Sequence, residues 1–150
     1  MIRLVKPGDI PAWLELAREV EPLFGPMADS DDFRNGIRQV ILDESAFCGE
    51  TEGGTIGGII ALNRQRNEIA WLAVSSACRG RGIGRLLMET AMRELDSTAE
   101  ILVQTFAAGI ASGTSARALF TDFGFTDAEA AGKNLAGIDT VIMKRRPRSP

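Results

Sequence analysis

The sequence predicts an α/β protein folded around a mixed sheet, and three observations predict it. Strand-like and helix-like periodicities follow one another in the order β-α-α-β-β-β-α-β-α-β-β along the 150 residues. The run Glu68–Val74, a Gly/Arg turn, a helix and the strand Ile101–Phe106 make a strand-helix-strand crossover, which joins parallel strands. Glu52-Gly53-Gly54, by contrast, is a tight hairpin turn, and the last two strands read as a second hairpin, so antiparallel neighbours are needed as well.

Taken in order, Ile2–Val5 is the first strand. Pro7-Gly8-Asp9 breaks it, with Asp9 able to cap the next helix. Ile10, Trp13, Leu14, Leu16, Ala17 and Val20 fall largely on one face of that helix, and Pro22, Gly25 and Pro26 end it. Glu21–Asp32 is a loop of mixed apolar and acidic residues. Ser30 or Asp31 caps a second helix carrying Phe33, Ile37, Val40 and Ile41, which Gly36 weakens slightly. Ala46–Glu50 and Thr55–Leu62 flank the hairpin turn, and Arg64–Asn67 is a polar turn into Glu68–Val74. The helix after the Gly/Arg turn has apolar residues at Leu86, Leu87, Ala91 and Leu95. A small-residue link, Ala107–Thr114, joins Ile101–Phe106 to a helix over Ser115–Phe123 that Gly124 stops. Phe125–Ala131 and Ile138–Lys144 form the closing hairpin, and Lys144–Pro150 is expected to fray. No repeat and no composition shift divides the chain, so one domain over residues 1–150 is expected.

The chemistry concentrates between Trp71 and Leu95. A strand that feeds a glycine-rich turn into a helix N-terminus is an anion cradle: glycines let the backbone approach closely, free N–H groups point outward, and the helix dipole adds positive charge. Arg79, Arg81 and Arg85 add full charges. A phosphate or pyrophosphate is the ligand such a cradle suits. The Walker pattern fails, because no Gly-Lys-Ser/Thr follows, and G-x-G-x-x-G fails in both registers, which put Arg85 or Leu87 in the third glycine's place. Arg79-x-x-Gly82-x-Gly84 fits in full.

With "WLAV" before it and "IGRLLMETAMREL" after it, that pattern resembles the GCN5-related N-acetyltransferase superfamily, whose Arg/Gln-x-x-Gly-x-Gly/Ala turn grips the pyrophosphate of acetyl-coenzyme A. A second landmark, Ala116-Arg117-Ala118-Leu119-Phe120-Thr121-Asp122-Phe123-Gly124-Phe125, is similar to the family's "A-R-x-L-Y-x-x-x-G-F". The element order also matches, so the resemblance covers nearly the whole chain. It implies the acyl-CoA N-acyltransferase fold, with two central parallel strands splayed apart, here Glu68–Val74 and Ile101–Phe106, and the pantetheine arm of acetyl-CoA in the gap. Backbone groups of Leu72, Ala73 and Val74 would pair with that arm, and one N–H would polarise the thioester carbonyl. Arg79, Gly80, Arg81, Gly82, Ile83 and Gly84 would bind the pyrophosphate, with Arg85 adding charge. A homodimer is compatible with the family.

The resemblance also implies the acceptor, a primary amine on a small molecule or peptide, which must lose its proton before attack. Glu68, six residues before Val74, stands where histone-type members carry their base. Glu21, Asp29, Asp31 and Asp32 lie in or near the loop that covers the acceptor in relatives. Phe120 departs from the pattern: relatives commonly hold a tyrosine there, whose hydroxyl protonates the departing thiolate. A phenylalanine keeps the wall and removes the acid, a change that can cost about 10²–10⁴ in rate. Ser112, Thr114, Ser115 or a water could substitute. The alternative is a domain that keeps the cleft, senses acyl-CoA or supports a partner, and no longer transfers.

Composition excludes other classes. There is no histidine and no tyrosine, so imidazole catalysis and histidine metal sites lose their main ingredient, and no metal is expected. Cys78 beside Arg79 has no histidine partner for a covalent route. Two cysteines make no disulfide framework, and no apolar run is long enough for a signal peptide or membrane span, so a reducing cytoplasm and no membrane partner are expected. A net charge of −3 argues against nucleic acid as a partner. Residues 1–60 carry 11 acids and 5 bases, and residues 61–150 carry 9 acids and 12 bases. Such an asymmetry is usually only a solvated surface, and its sharper reading is a basic cofactor half and an acidic acceptor half suited to a cationic amine. Trp13, Trp71 and Phe106 read as core.

Overall fold

A computed structural model describes residues 1–148. The strands are β1 (Ile2–Leu4), β2 (Ala46–Glu50), β3 (Ile56–Asn63), β4 (Glu68–Val74), β5 (Ile101–Phe106), β6 (Phe125–Lys133) and β7 (Asp139–Arg145). The helices are α1 (Ile10–Phe24), α2 (Asp31–Leu42), α3 (Ile83–Glu94) and α4 (Thr114–Asp122). The seven strands form one sheet in the order β1-β2-β3-β4-β5-β7-β6. Every neighbouring pair is antiparallel except β4 and β5. The mixed sheet expected from the crossover and the hairpins is therefore present.

Each face of the sheet carries its own core. On one face α3 and α4 bury Leu87, Met88, Ala91 and Phe120 against Ile60, Ile69, Ile101 and Met143. On the other, α1 and α2 bury Trp13, Ala17, Val20 and Ile37 against Ile59, Ala61 and Ala73. The seat of α3 explains three glycines in β2 and β3. A Cβ on Gly49 or Gly57 would lie 2.7 Å from the Ile83 side chain, and one on Gly58 would lie 3.0 Å from it. Bare backbone at these positions lets the N-terminus of α3 press against the sheet.

Four local expectations need correction. Pro22 does not end α1, which runs to Phe24. In the last turn a proline removes one hydrogen bond, and the helix ends instead at Gly25, whose φ is 102° and whose N–H bonds Glu21 O at 2.8 Å. Leu86 is 43% exposed, so the buried face of α3 is Ile83, Leu87, Met88 and Ala91, continued by Leu95. The tail does not fray from Lys144: β7 includes Lys144 and Arg145, Arg145 is buried, and Arg148 N bonds Ser97 O at 2.8 Å. Residues 149–150 of that predicted tail lie outside the described residues. Asp9 is the N-cap residue of α1, but its carboxylate accepts from Lys6 N and pairs with Arg3 instead of capping. At the second helix the expectation holds, since Ser30 Oγ accepts from Phe33 N at 3.3 Å.

Candidate active site

The parallel pair β4–β5 is joined only at one end. Glu68 faces Leu102 and Ile69 faces Val103, and beyond those two positions the strands no longer pair. The cause lies on β4. Ala61 opposes Trp71 while Leu62 opposes Ile69, so Ala70 is an extra residue, a bulge that bends the strand. From Trp71 to Val74 the edge of β4 that faces β5 is released, and a cleft of about 630 Å³ opens between the strands. Its walls take residues from both strands, from α1 and from the start of α4.

One end of the cleft is closed by the N-terminus of α3. Gly82 caps this helix in the left-handed region, at φ 81°, and the first helical bond runs from Leu86 N to Gly82 O at 3.1 Å. The N–H groups of Ile83, Gly84 and Arg85 therefore have no helical acceptor and sit at the positive pole of the helix. Arg79 and Arg85 are the only charged side chains among the described residues that line the cleft. Arg85 is already engaged, with Asp122 at 2.8 Å and the Phe123 ring centroid at 5.6 Å. Arg79 makes no ion pair among the described residues. A backbone cradle with one free arginine can hold a phosphate or pyrophosphate.

The other end is aromatic. Half-buried Trp71 meets Phe24 edge-on at 6.3 Å, and Phe24 meets Phe106 at 5.8 Å. Behind Trp71 stand Trp13 at 5.7 Å and Phe33 at 6.2 Å. The tip of the β6–β7 hairpin latches onto this wall. Asn134 Nδ2 donates to Leu23 O at 2.9 Å, near the C-terminus of α1, while Asn134 Oδ1 accepts from Ala136 N and Ile138 N. Gln104 and Thr140 complete the lining, joined by a bond from Gln104 Nε2 to Thr140 Oγ1 at 3.0 Å.

A family model described as an acetyltransferase (GNAT) domain matches residues 20–147, from the middle of α1 past the end of β7. The chain belongs to the GNAT acetyltransferase family. Solved structures with the same GNAT fold cover nearly the whole chain. A ribosomal-protein-alanine N-acetyltransferase from Brucella melitensis is 20% identical with a TM-score of 0.77, covering 97% of this chain and 99% of that one. The ribosomal-protein-S18-alanine N-acetyltransferase from Escherichia coli is 19% identical with a TM-score of 0.74, covering 100% and 95%. An N-acetyltransferase from Staphylococcus aureus Mu50 is 18% identical with a TM-score of 0.75, covering 99% and 98%. No protein of curated function matches the sequence.

Within this GNAT domain, ten of the residues singled out from sequence line the cleft together: Leu72, Ala73 and Val74 on β4, Arg79, Gly80, Gly82, Ile83, Gly84 and Arg85 around the turn, and Phe120 on α4. Phe120 is buried, with its ring 5.9 Å from Phe125. Arg81 is exposed and outside the lining, and half-buried Glu68 is outside it too. Glu68 stands opposite Asn63 at the closed end of the pair, on the Trp71 face of β4, with its carboxylate 3.8 Å from Arg66. Trp71 and Phe106, read as core, belong to the lining as well as to the core.

The acidic acceptor half does not take shape, because no described lining residue is acidic. None of the loop acids Glu21, Asp29, Asp31 and Asp32 is in the lining. Glu21 accepts from Met27 N at 2.7 Å and Ala28 N at 3.0 Å, and these backbone donors hold its carboxyl below the usual glutamate range. Asp29 pairs with Arg18 and Arg34, and Asp31 and Asp32 sit in the first turn of α2. Sequence reasoning missed Glu19 of α1. Its carboxylate accepts from Ser76 N at 2.8 Å and Ser75 Oγ at 3.0 Å, so α1 anchors the turn that leaves β4. The Ser76 N–H above all holds the Glu19 carboxyl below its ordinary value. The sequence carries no signal for this contact: Glu19, like Arg18 beside it, is an exposed charged residue of α1 between buried Ala17 and Val20.

Proposed function

We propose that this acetyltransferase uses acetyl-CoA and transfers the acetyl group to a primary amine of a small molecule or peptide by direct attack on the thioester. The observation that carries this reading is the splay of β4 from β5, which opens at one end onto the free amides of α3. The residues fit the cofactor. The released edge of β4 at Leu72, Ala73 and Val74 offers backbone donors and acceptors to a pantetheine arm. The Arg79–Gly84 turn offers N–H groups and charge to a pyrophosphate, with Arg81 outside the lining and free to bend inward. When bound, acetyl-CoA supplies an activated acetyl thioester.

The chain's own groups then have separable tasks. A β4 N–H near Leu72–Val74 would donate a hydrogen bond to the thioester carbonyl oxygen as negative charge builds on it. Phe120 walls the sulfur side without donating a proton. A thiolate tolerates this, since a free thiol titrates near about pH 8.5, and the Ser112 and Ser115 hydroxyls in the lining offer it hydrogen bonds. Thr114 is not in the lining. Glu68 shares the Trp71 face of β4 and would take the amine's proton through water. A reducing cytoplasm suits the two free, buried cysteines.

The test is release of free CoA thiol from acetyl-CoA in the presence of primary amines, together with the melting temperature. Acetyl-CoA should raise the melting temperature by mass action, and Gly82→Asp should abolish both signals. An unchanged thermal shift in that variant removes the cradle from the argument. Absence of thiol release with every amine overturns transfer. Glu68→Gln should slow turnover with acetyl-CoA affinity intact, and equal turnover at neutral pH would make Glu68 structural.

A further inference from the structure

The aromatic end of the cleft and its lack of carboxylates point to a substrate class. We infer that the acceptor is an amine of low basicity carried next to an aromatic ring, of the kind presented by the α-amino group of an aromatic amino-acid residue. This rests on the acetyl-transfer reading above and narrows it.

Two observations carry it. The first is shape and polarity. Phe24, Trp71 and Phe106 come from three separate elements, and the Phe24 ring stands 6.3 Å from Trp71 and 5.8 Å from Phe106 at one end of the cleft. Such faces and edges receive another ring in offset or edge-on contact. The polar groups at that end are neutral: Gln104, Asn134 and Thr140. Asn134 and Thr140 are already engaged, Asn134 donating to Leu23 O and Thr140 Oγ1 donating to Gly132 O at 2.8 Å while accepting from Gln104 Nε2, so they shape the wall more than they bind charge.

The second is charge. The described lining holds Arg79 and Arg85 and no acid. A polycationic amine would leave water there for a site with no acid to pair with, which is costly. A lysine-like amine, with a pKa of about 10.4, would also arrive protonated and find no carboxylate, histidine or tyrosine in the lining to take its proton. An α-amino group, with a pKa of about 7.7–8.0, is partly neutral near pH 7.5 and needs less help. A distant base such as Glu68, acting through water, is adequate for that amine.

Rings can also hold a cation by their faces, and the experiment separates the two. Three acceptors are compared for kcat/KM with acetyl-CoA: phenylalaninamide, glycinamide and spermidine. Phenylalaninamide should exceed glycinamide by at least about tenfold, which is about 1.4 kcal/mol, and spermidine should be the poorest. Equal rates for phenylalaninamide and glycinamide overturn the aromatic contact. A preference for spermidine overturns the inference in favour of a cation cage, while leaving acetyl transfer standing.

Binding is read independently of transfer. The chain has two tryptophans, and Trp71 lines the cleft. Phenylalaninamide should therefore change tryptophan fluorescence in the presence of CoA, and spermidine should not. Binding without turnover would uphold the acceptor class and overturn the transfer reading. No binding and no turnover overturns the inference. Phe24→Leu, at a half-buried position, should raise KM for phenylalaninamide about tenfold and leave KM for acetyl-CoA within about twofold. If both KM values rise together, Phe24 supports the fold and not the acceptor.

Discussion

The two ends of the cleft are built by different means. At the α3 end the working groups are backbone amides, supplied by one continuous stretch from Val74 to Arg85 and held by bare glycine backbone beneath Ile83. At the other end they are side chains, Phe24, Trp71, Phe106 and Asn134, which come from four places in the chain and meet only in the folded protein. Main chain is common to every sequence with this fold, so the first end suits a ligand shared by many relatives. Side chains change freely, so the second end is where one member can differ from another.

The comparison breaks most severely at the seat of α3. Gly57→Val puts a branched side chain where a Cβ alone would lie 2.7 Å from Ile83 and 3.1 Å from the Cys78 sulfur. Overpacking of this kind costs about 1–3 kcal/mol. A denaturant melt should show that loss, and acetyl-CoA affinity should fall with it while the aromatic end keeps its geometry. A variant with unchanged stability and affinity would mean that α3 needs no glycine floor.

Phe120→Tyr probes the boundary between the two ends. The new hydroxyl enters a buried position, and an unsatisfied one costs about 1–3 kcal/mol. The thermal destabilisation should shrink when CoA is bound, because the sulfur gives the hydroxyl a partner, and turnover should rise little or not at all. Loss of the same stability with and without CoA would turn Phe120 away from the sulfur.

Asn134→Ala acts on the aromatic end alone. It deletes the bond to Leu23 O and both bonds to the hairpin tip. Net hydrogen bonds contribute about 0.5–1.5 kcal/mol each, and much of the loss is local. KM for the acceptor should rise severalfold with KM for acetyl-CoA unchanged. Parallel changes in both would join the two ends into one unit.

The smallest effect is expected from Glu19→Gln, read against pH. The Glu19 carboxyl is held below its unfolded value, chiefly by the Ser76 N–H. Its contribution is therefore complete above the ordinary glutamate range near pH 4.5 and is lost as pH falls through the lower folded value. Wild type should exceed the variant in stability at pH 7, and the gap should close as pH falls through the lowered folded value. Since the residue is exposed, the gap should be well under about 1 kcal/mol. A gap that persists at low pH would assign the contact to the neutral hydrogen bonds.

The contrast also accounts for what the sequence made legible. Strand and helix order, the bounds of β4 and β5, and the cradle turn all follow from local patterns: period, glycine, and charge at fixed spacing. The splay itself was reached through resemblance, because its local cause, the bulge at Ala70, carries no residue signal in "EIAWLAV". The aromatic end escaped for another reason. A tryptophan or phenylalanine on an apolar strand reads as core, and Trp71 and Phe106 are indeed packed as core while also facing the cleft. Charge counting by halves of the chain misled, since acids such as Glu21 and Asp29 are consumed by backbone N–H groups and arginines next to them. Pro22 misled by position, because a proline breaks a helix interior far more than its final turn.

The link from Asn134 to Leu23 spans 111 residues of chain. Contacts of that separation form late in folding, since the chain between them must already be ordered for the loop to close at low entropic cost. The β2–β3 hairpin and the β4-α3-β5 crossover need only near neighbours and can assemble first. The aromatic end of the cleft is thus expected to take shape after those local units. Under native conditions it is also the first to open, so the Ala136 and Ile138 amides should exchange with solvent deuterium well ahead of those in β3 and α3.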